Sequence, residues 1–335
     1  MLGWVALSKE ARPRVVISRC IEFDRVRWNA QVIRSDFVRA LVNHVDYTTV
    51  CPEVEIGLGV PRDTLRLVKQ GEELRLMQPV TGLDVTEKMR KFAGEFLDSV
   101  GEVDGFILKG RSPTSGLRGV KVYPALRDVA AIERGPGLFG SIVRDRFSHL
   151  ALEEEGRLKN SRIREHFLRK LYTLARLREI SDSEDVNDLI GFHTRSKLLL
   201  KAYNQKETRA LGRIVANAGE KTLSDDMDEY REHLHRALRR PPRCTSYVNV
   251  LTSCMGYFGD GLSKKEKEFF MDTIRRYRDG RIPLIVPVDI LKAWIVRFDE
   301  GYLKQQTFFE PYPEALLDVD SITEACGGRD YWKDV

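Results

Sequence analysis

At 335 residues the chain is long enough for two domains with separate cores, and its 42% hydrophobic and 31% charged content is that of a soluble globular protein. A formal net charge of +5 is mild and permits a nucleic-acid partner without arguing for one. Five cysteines with no CxxC pair make no disulfide framework at this length, no apolar run reaches membrane-spanning length, and the opening stretch, broken by Lys9 and Arg12, does not read as a signal peptide, so the expected compartment is the cytoplasm.

The first half of the chain alternates strands and helices. Arg14 to Ser18 reads as a strand leading to Cys20, and an amphipathic helix follows from about Val32 to Val42. A second strand, Val45 to Val50, leads to Cys51, followed by the glycine-bearing turn Gly57 to Arg62. Leu65–Val68 and Leu74–Met77 form a hairpin around Gln70-Gly71-Glu72, and Thr86 to Val100 is a helix with Met89, Phe92, Ala93, Phe96, Leu97 and Val100 on one face. A third strand ends at Leu108 and opens into Arg111-Ser112-Pro113-Thr114-Ser115-Gly116, and a fourth follows at Val120 to Tyr123. This alternation predicts an α/β domain with a mostly parallel, three-layer sheet over residues 13–135. The stretch Glu133 to Gly137 reads as a flexible linker by composition. Beyond it, over residues 136–316, the spacing predicts an all-α domain, and residues 317–335 an acidic, loosely ordered tail. The predicted helices run from Ser161 to Arg178, Val186 to Tyr203, Asp225 to Arg239, Tyr247 to Phe258, Ser263 to Tyr277 and Pro287 to Arg297. Capping boxes are expected at Ser181–Glu184 and Ser263–Glu266.

Three parallel strands that end on Cys20, Cys51 and the Ser112–Gly116 loop would bring those ends to one crevice, where open α/β sheets bind ligands. Cys20 and Cys51 there are either metal or cluster ligands, a redox pair, or small buried hydrophobes. Glu53 and Glu55 flank the second cysteine, and either could act as general acid or base; alternatively Glu55 is surface and Glu53 pairs with Arg62 or Arg66. Read from the residues alone, Ser112 is a turn-capping hydroxyl. His193 and Cys254 read as structural, and the basic stretch Arg157 to Arg178 as a solvated face.

The run from Cys51 to Arg62, the Ser18-Arg19-Cys20 ending with Val26-Arg27 after it, and the Ser112–Gly116 loop resemble the three motifs of the thiouracil desulfidase family. The resemblance implies an α/β fold and a [4Fe–4S] cluster on three cysteines with one open iron. It also implies non-redox removal of sulfur from a thiolated nucleobase, with Ser112 and Glu53 serving the chemistry. The second half resembles the helical YbgA-like domain fused behind it. Its marks are Glu153-Glu154-Glu155-Gly156-Arg157-Leu158, Phe192-His193-Thr194-Arg195, Lys197–Leu200, Asn249-Val250-Leu251, Met255–Phe258 and Pro311–Glu314.

The departures from these patterns carry as much information as the matches. Carried over by position, two cluster ligands fall on Cys20 and Cys51, but the third falls on Ser115. The family's VRYDG reads Val26-Arg27-Trp28-Asn29-Ala30 here. Histidine positions of the helical half read Tyr247 and Ser253, and its AHS reads Ala202-Tyr203-Asn204. Three readings therefore stand. The chain is a cluster-bearing desulfidase, a cluster-free relative that binds a nucleobase or serves as a regulatory or assembly subunit, or a nucleic-acid-binding protein using its basic helices.

Overall fold

The computed structural model describes residues 11–127, 129–181, 183, 185–317 and 332. The chain divides into two compact units, one from Arg12 to Phe167 and one from Leu168 onward.

In chain order the strands of the first unit are β1 (Arg14–Ser18), β2 (Asp46–Val50), β3 (Arg66–Gln70), β4 (Glu73–Met77), β5 (Gly105–Leu108), β6 (Val120–Tyr123), β7 (Glu133–Gly135) and β8 (Ala151–Glu154). They form two four-stranded sheets, ordered β2-β1-β5-β8 and β4-β3-β6-β7. The first is parallel throughout. Its central strands are continuously apolar and buried, Val15 to Ile17 in β1 and Phe106 to Leu108 in β5, as strands covered on both faces must be. Edge strand β2 instead exposes Asp46, Tyr47 and Thr48. The register places Ser18 opposite Val50 and Leu108 opposite Glu154, so the carboxyl ends of the four strands lie level.

The second sheet is mixed. The β3–β4 hairpin turns at Gly71, which takes a left-handed φ of +63° that favours glycine, and β6 pairs parallel to β3 and antiparallel to β7. The fourth predicted strand thus joins the hairpin and leaves the parallel sheet to β8. Periodicity finds strands but not their partners.

Helices of the first unit are α1 (Asp36–Leu41), α2 (Pro52–Glu55), α3 (Thr86–Ser99) and α4 (Leu138–Phe147). The first is shorter than its apolar pattern predicts. Ser35 caps it, accepting from Val38 N, and Ile33 pairs in a β-bridge with Ile21 before the helix can start. The expected linker at 133–137 is instead β7 and the approach to α4. The expected domain break after residue 135 therefore falls inside the first unit, whose parallel sheet is completed by β8.

Helix α5 (Ser161–Ser181) begins in the first unit and continues into the second, followed by α6 (Val186–Tyr203), α7 (Gln205–Ala216), α8 (Leu223–Ala237), α9 (Cys244–Met255), α10 (Lys264–Arg278), α11 (Ile285–Phe298) and α12 (Gly301–Lys304). Ser263 and Glu266 form the expected capping box. The other expected box lies partly outside the described residues, and α6 is capped by Asp185, which accepts from Asn187 N. Sequence periodicity does not separate α7 from α6. Asn204 does so physically, since its side chain accepts from Lys206 N and Glu207 N and opens a new helix.

The basic stretch is not a solvated face. Arg164 and Lys170 are buried, Arg169 donates to the Tyr247 hydroxyl at 2.8 Å, and Arg176 donates to the Pro311 carbonyl at 2.9 Å. Cys254 is fully buried, as expected, and Cys244 is disulfide-bonded. Among the described residues no helix is long and apolar enough to cross a membrane. The predicted tail lies, apart from Leu317 and Trp332, outside the described residues.

Candidate functional site at the strand ends

Each predicted loop leaves a strand of the parallel sheet at the same end. Cys51 follows β2 directly and precedes Pro52, the first residue of α2. Its Sγ lies 3.5 Å from Glu53 Oε2 and 3.7 Å from the Val26 carbonyl. Arg62 ties the neighbouring loops together. It donates to the carbonyls of Val26 (2.9 Å) and Gly59 (3.0 Å), its Nη2 stands 3.8 Å from Glu53 Oε2, and its backbone N–H donates to the Trp28 carbonyl. Glu53 is therefore the carboxylate that meets both a thiol and a guanidinium. Glu55 pairs away from it, with Arg19 at 2.7 Å.

The third loop is held by backbone groups. Ser112 Oγ accepts from the N–H of Thr114 (3.2 Å) and of Ser115 (3.1 Å), which is the turn-capping role of a loop serine. The first turn of α4 then caps the loop's carbonyls. Gly137 donates to Gly116, Leu138 to Pro113 and Gly140 to Thr114, at 2.7, 3.1 and 3.0 Å. Such close approach needs glycine, because a Cβ at Gly140 would sit 2.2 Å from the Gly116 oxygen.

Three consecutive carboxylates at the end of β8 hold the other side of the loop. Glu154 Oε1 accepts from Leu117 N (2.7 Å) and Arg118 N (3.1 Å). Glu155 accepts from Lys109 Nζ and Gly110 N, both at 2.6 Å, and Glu153 from Arg157 Nε at 2.9 Å. The Glu153–Glu155 run thus belongs to the α/β unit, not to the helical domain whose mark it was expected to be. Sequence reasoning missed these supports. The available signals were the Gly135, Gly137, Gly140 spacing and an acidic triplet directly after an apolar strand.

These loops enclose a cavity of about 300 Å³. Cys20, Cys51 and Ser115 line it, as do Glu53, Ser112, Lys109 and Arg62, with Trp28 at its mouth, 46% exposed. Of the residues singled out from the sequence, Cys20, Cys51, Glu53, Ser112 and Ser115 come together here and Glu55 does not. Burial and, after it, the Glu53 charge together push the Cys20 thiol up to about 12 and the Cys51 thiol up to about 11. Both are neutral thiols at physiological pH. Ser115 is 3% exposed, and its hydroxyl has no hydrogen-bond partner among the described residues.

The comparisons with known proteins agree with this division. A family model described as 2-thiouracil desulfurase matches residues 15–155, and one described as a protein of unknown function (DUF1722) matches residues 197–313. The uncharacterised protein YbgA of Escherichia coli K12 is 30% identical over 147 residues, 44% of this chain and 86% of YbgA. The chain belongs to the YbgA family. Its first unit falls in the family of 2-thiouracil desulfurase-like domains. A solved structure of the [4Fe-4S]-dependent thiouracil desulfidase TudS is similar at 26% identity, covering 44% of this chain and 94% of that one, with a TM-score of 0.34.

Iron–sulfur clusters are held by thiolates, and an enzyme that keeps one iron open uses three. The cavity of this YbgA-family chain offers two thiols and one hydroxyl. Cys254 is buried in the core of the helical unit, and among the described residues no group of three or more His, Cys, Asp or Glu side chains is arranged to hold a metal ion. Both thiols are kept protonated beside a carboxylate, and serine oxygen is harder and more basic than thiolate. The donor set does not fit a three-thiolate cluster.

Proposed function

We propose that the first unit binds a small thiolated nucleobase, or a similar flat thioamide, in the strand-end cavity without a cluster. The observation that carries this reading is the convergence of Cys20, Cys51 and Ser115 on one cavity of about 300 Å³, the lower end of the range for small-ligand pockets. A thioamide presents a soft acceptor at sulfur and polar N–H groups at the ring. The neutral Cys20 thiol and the Ser115 hydroxyl supply donors for the acceptor, and the Glu53 carboxylate supplies an acceptor for a ring N–H. Lys109 spends two of its three N–H groups on Gly110 O and Glu155, leaving one for the cavity it lines. Trp28 at the mouth offers a ring face on which a flat heterocycle can stack and exclude water.

Calorimetric titration with 2-thiouracil tests the reading, with uracil as the control. Saturable one-to-one binding that weakens in Trp28→Ala, with uracil binding less well, is the expected result. No binding of either compound overturns it.

A second reading is supported by the two thiols that the domain retains in the cavity. In that reading the chain is itself a desulfidase. It requires the anaerobically reconstituted protein to consume the thione and release sulfide, whereas the binding reading requires the thione to be recovered unchanged. The basic stretch Arg157–Arg178, on which a nucleic-acid reading rests, has Arg157, Arg169 and Arg176 engaged with groups of this same chain, and it takes no part in the proposal.

A further inference from the structure

We infer that residue 115 alone keeps an iron–sulfur cluster out of this cavity, and that a single change of oxygen to sulfur restores the site. The inference goes beyond ligand binding and does not depend on it. It rests on how this chain holds residue 115 against the cavity. Its backbone is fixed from three sides, by Ser112 Oγ on the N–H of 115, by Gly137 and Gly140 on the neighbouring carbonyls of 116 and 114, and by Glu154 on the N–H of Leu117. The residue is buried, lines the same cavity as Cys20 and Cys51, and its hydroxyl has no hydrogen-bond partner among the described residues that a sulfur atom would displace. Space for the larger atom exists because that side chain borders the cavity rather than packed core.

The chemistry explains why two thiols do not suffice. Each thiol that ligates iron must give up its proton to solvent, and iron must repay that cost. A third thiolate adds a strong soft donor, whereas a serine must give up a far more basic proton for a harder oxygen. In Ser115→Cys three protons leave and three iron–sulfur bonds to protein form, with no change of oxidation state required of the protein.

The test is reconstitution of the full chain with iron and sulfide in the absence of oxygen. A phosphine serves as reductant, so that no added thiol can stand in as a ligand. Wild type is expected to retain only traces of iron and labile sulfide after desalting and to show no visible charge-transfer absorption. Ser115→Cys is expected to retain about four of each per chain, as a [4Fe–4S] cluster contains, and Ser115→Cys with Cys51→Ser to lose them again. Circular dichroism and the melting midpoint establish that each variant is folded. Should Ser115→Cys not fold, Ser115→Gly reconstituted with added 2-mercaptoethanol supplies the third thiolate from solution and is expected to gain the absorption that wild type lacks. A stoichiometric cluster in wild type overturns the inference. So does a folded Ser115→Cys that stays empty, or an empty Ser115→Gly with thiol present. Thiouracil titrations on the same preparations are read separately, so failure of ligand binding and failure of cluster assembly are distinguishable.

Discussion

Glu53 is the residue through which the cavity's charge is set. It touches Cys51 at 3.5 Å and Arg62 at 3.8 Å, and its charge is, after burial, the largest influence that raises both thiols. Glu53→Gln removes a negative charge from beside two acids, which favours their ionised forms. The expected outcome is a lower apparent pKa for both thiols and severalfold faster alkylation by iodoacetamide at pH 8, followed by mass spectrometry of Cys20 and Cys51 peptides. Lys170 makes the opposite case in the helical unit, where burial alone pulls its ammonium down from 10.5 to about 8. The folded-state value lies below the unfolded one, so between about pH 8 and 10.5 the unfolded chain binds the extra proton and folded stability rises with pH. Lys170→Met removes the buried charge. Its stability advantage over wild type, on the order of 3 kcal/mol below pH 8, is expected to shrink across that window, as urea unfolding at stepped pH will show.

Among elements, α4 does the most for the site while contributing no cavity-lining residue. Its first turn donates three N–H groups to the carbonyls of the third loop, and two of the donors are glycines in close approach to backbone. Gly140→Ala forces a methyl group to within 2.2 Å of the Gly116 oxygen unless helix and loop separate. The expected cost is about 1–3 kcal/mol in urea unfolding. Thiouracil affinity should fall more than tenfold, because Ser115 moves with the loop. Helix α7 depends in a comparable way on one side chain, the Asn204 cap on the N–H groups of 206 and 207. Asn204→Ala is expected to cost about 1 kcal/mol.

At the scale of the whole molecule, each unit has its own core. The first is built on Val16, Ile17, Phe106 and Ile107 and the second on Tyr172, Tyr230 and Phe270. Separate cores predict that denaturation departs from a single two-state transition. Gly140→Ala should shift one step and Asn204→Ala the other, which tryptophan fluorescence and circular dichroism recorded across the same urea series will resolve. A single transition moved equally by both changes would show that the units unfold together.

The sequence by itself determined the elements whose signal is local. The continuous apolar runs of β1 and β5, the glycine turn between β3 and β4, the Ser263 cap and the 3.6-residue faces of α3 and α5 are all short-range physics, readable without a partner. The three strand-end loops were likewise legible, because each carries its chemistry in a few adjacent residues. Pairing was decided only by tertiary structure. Composition cannot show that β6 leaves the parallel sheet for the hairpin, or that β8 takes the place beside β5, since strand order depends on contacts far apart in sequence. The same holds for the supports of Ser115. A glycine is a linker residue until another backbone approaches it, and Glu154 and Glu155 are surface charges until loop N–H groups lying some 37 and 45 residues back are brought against them.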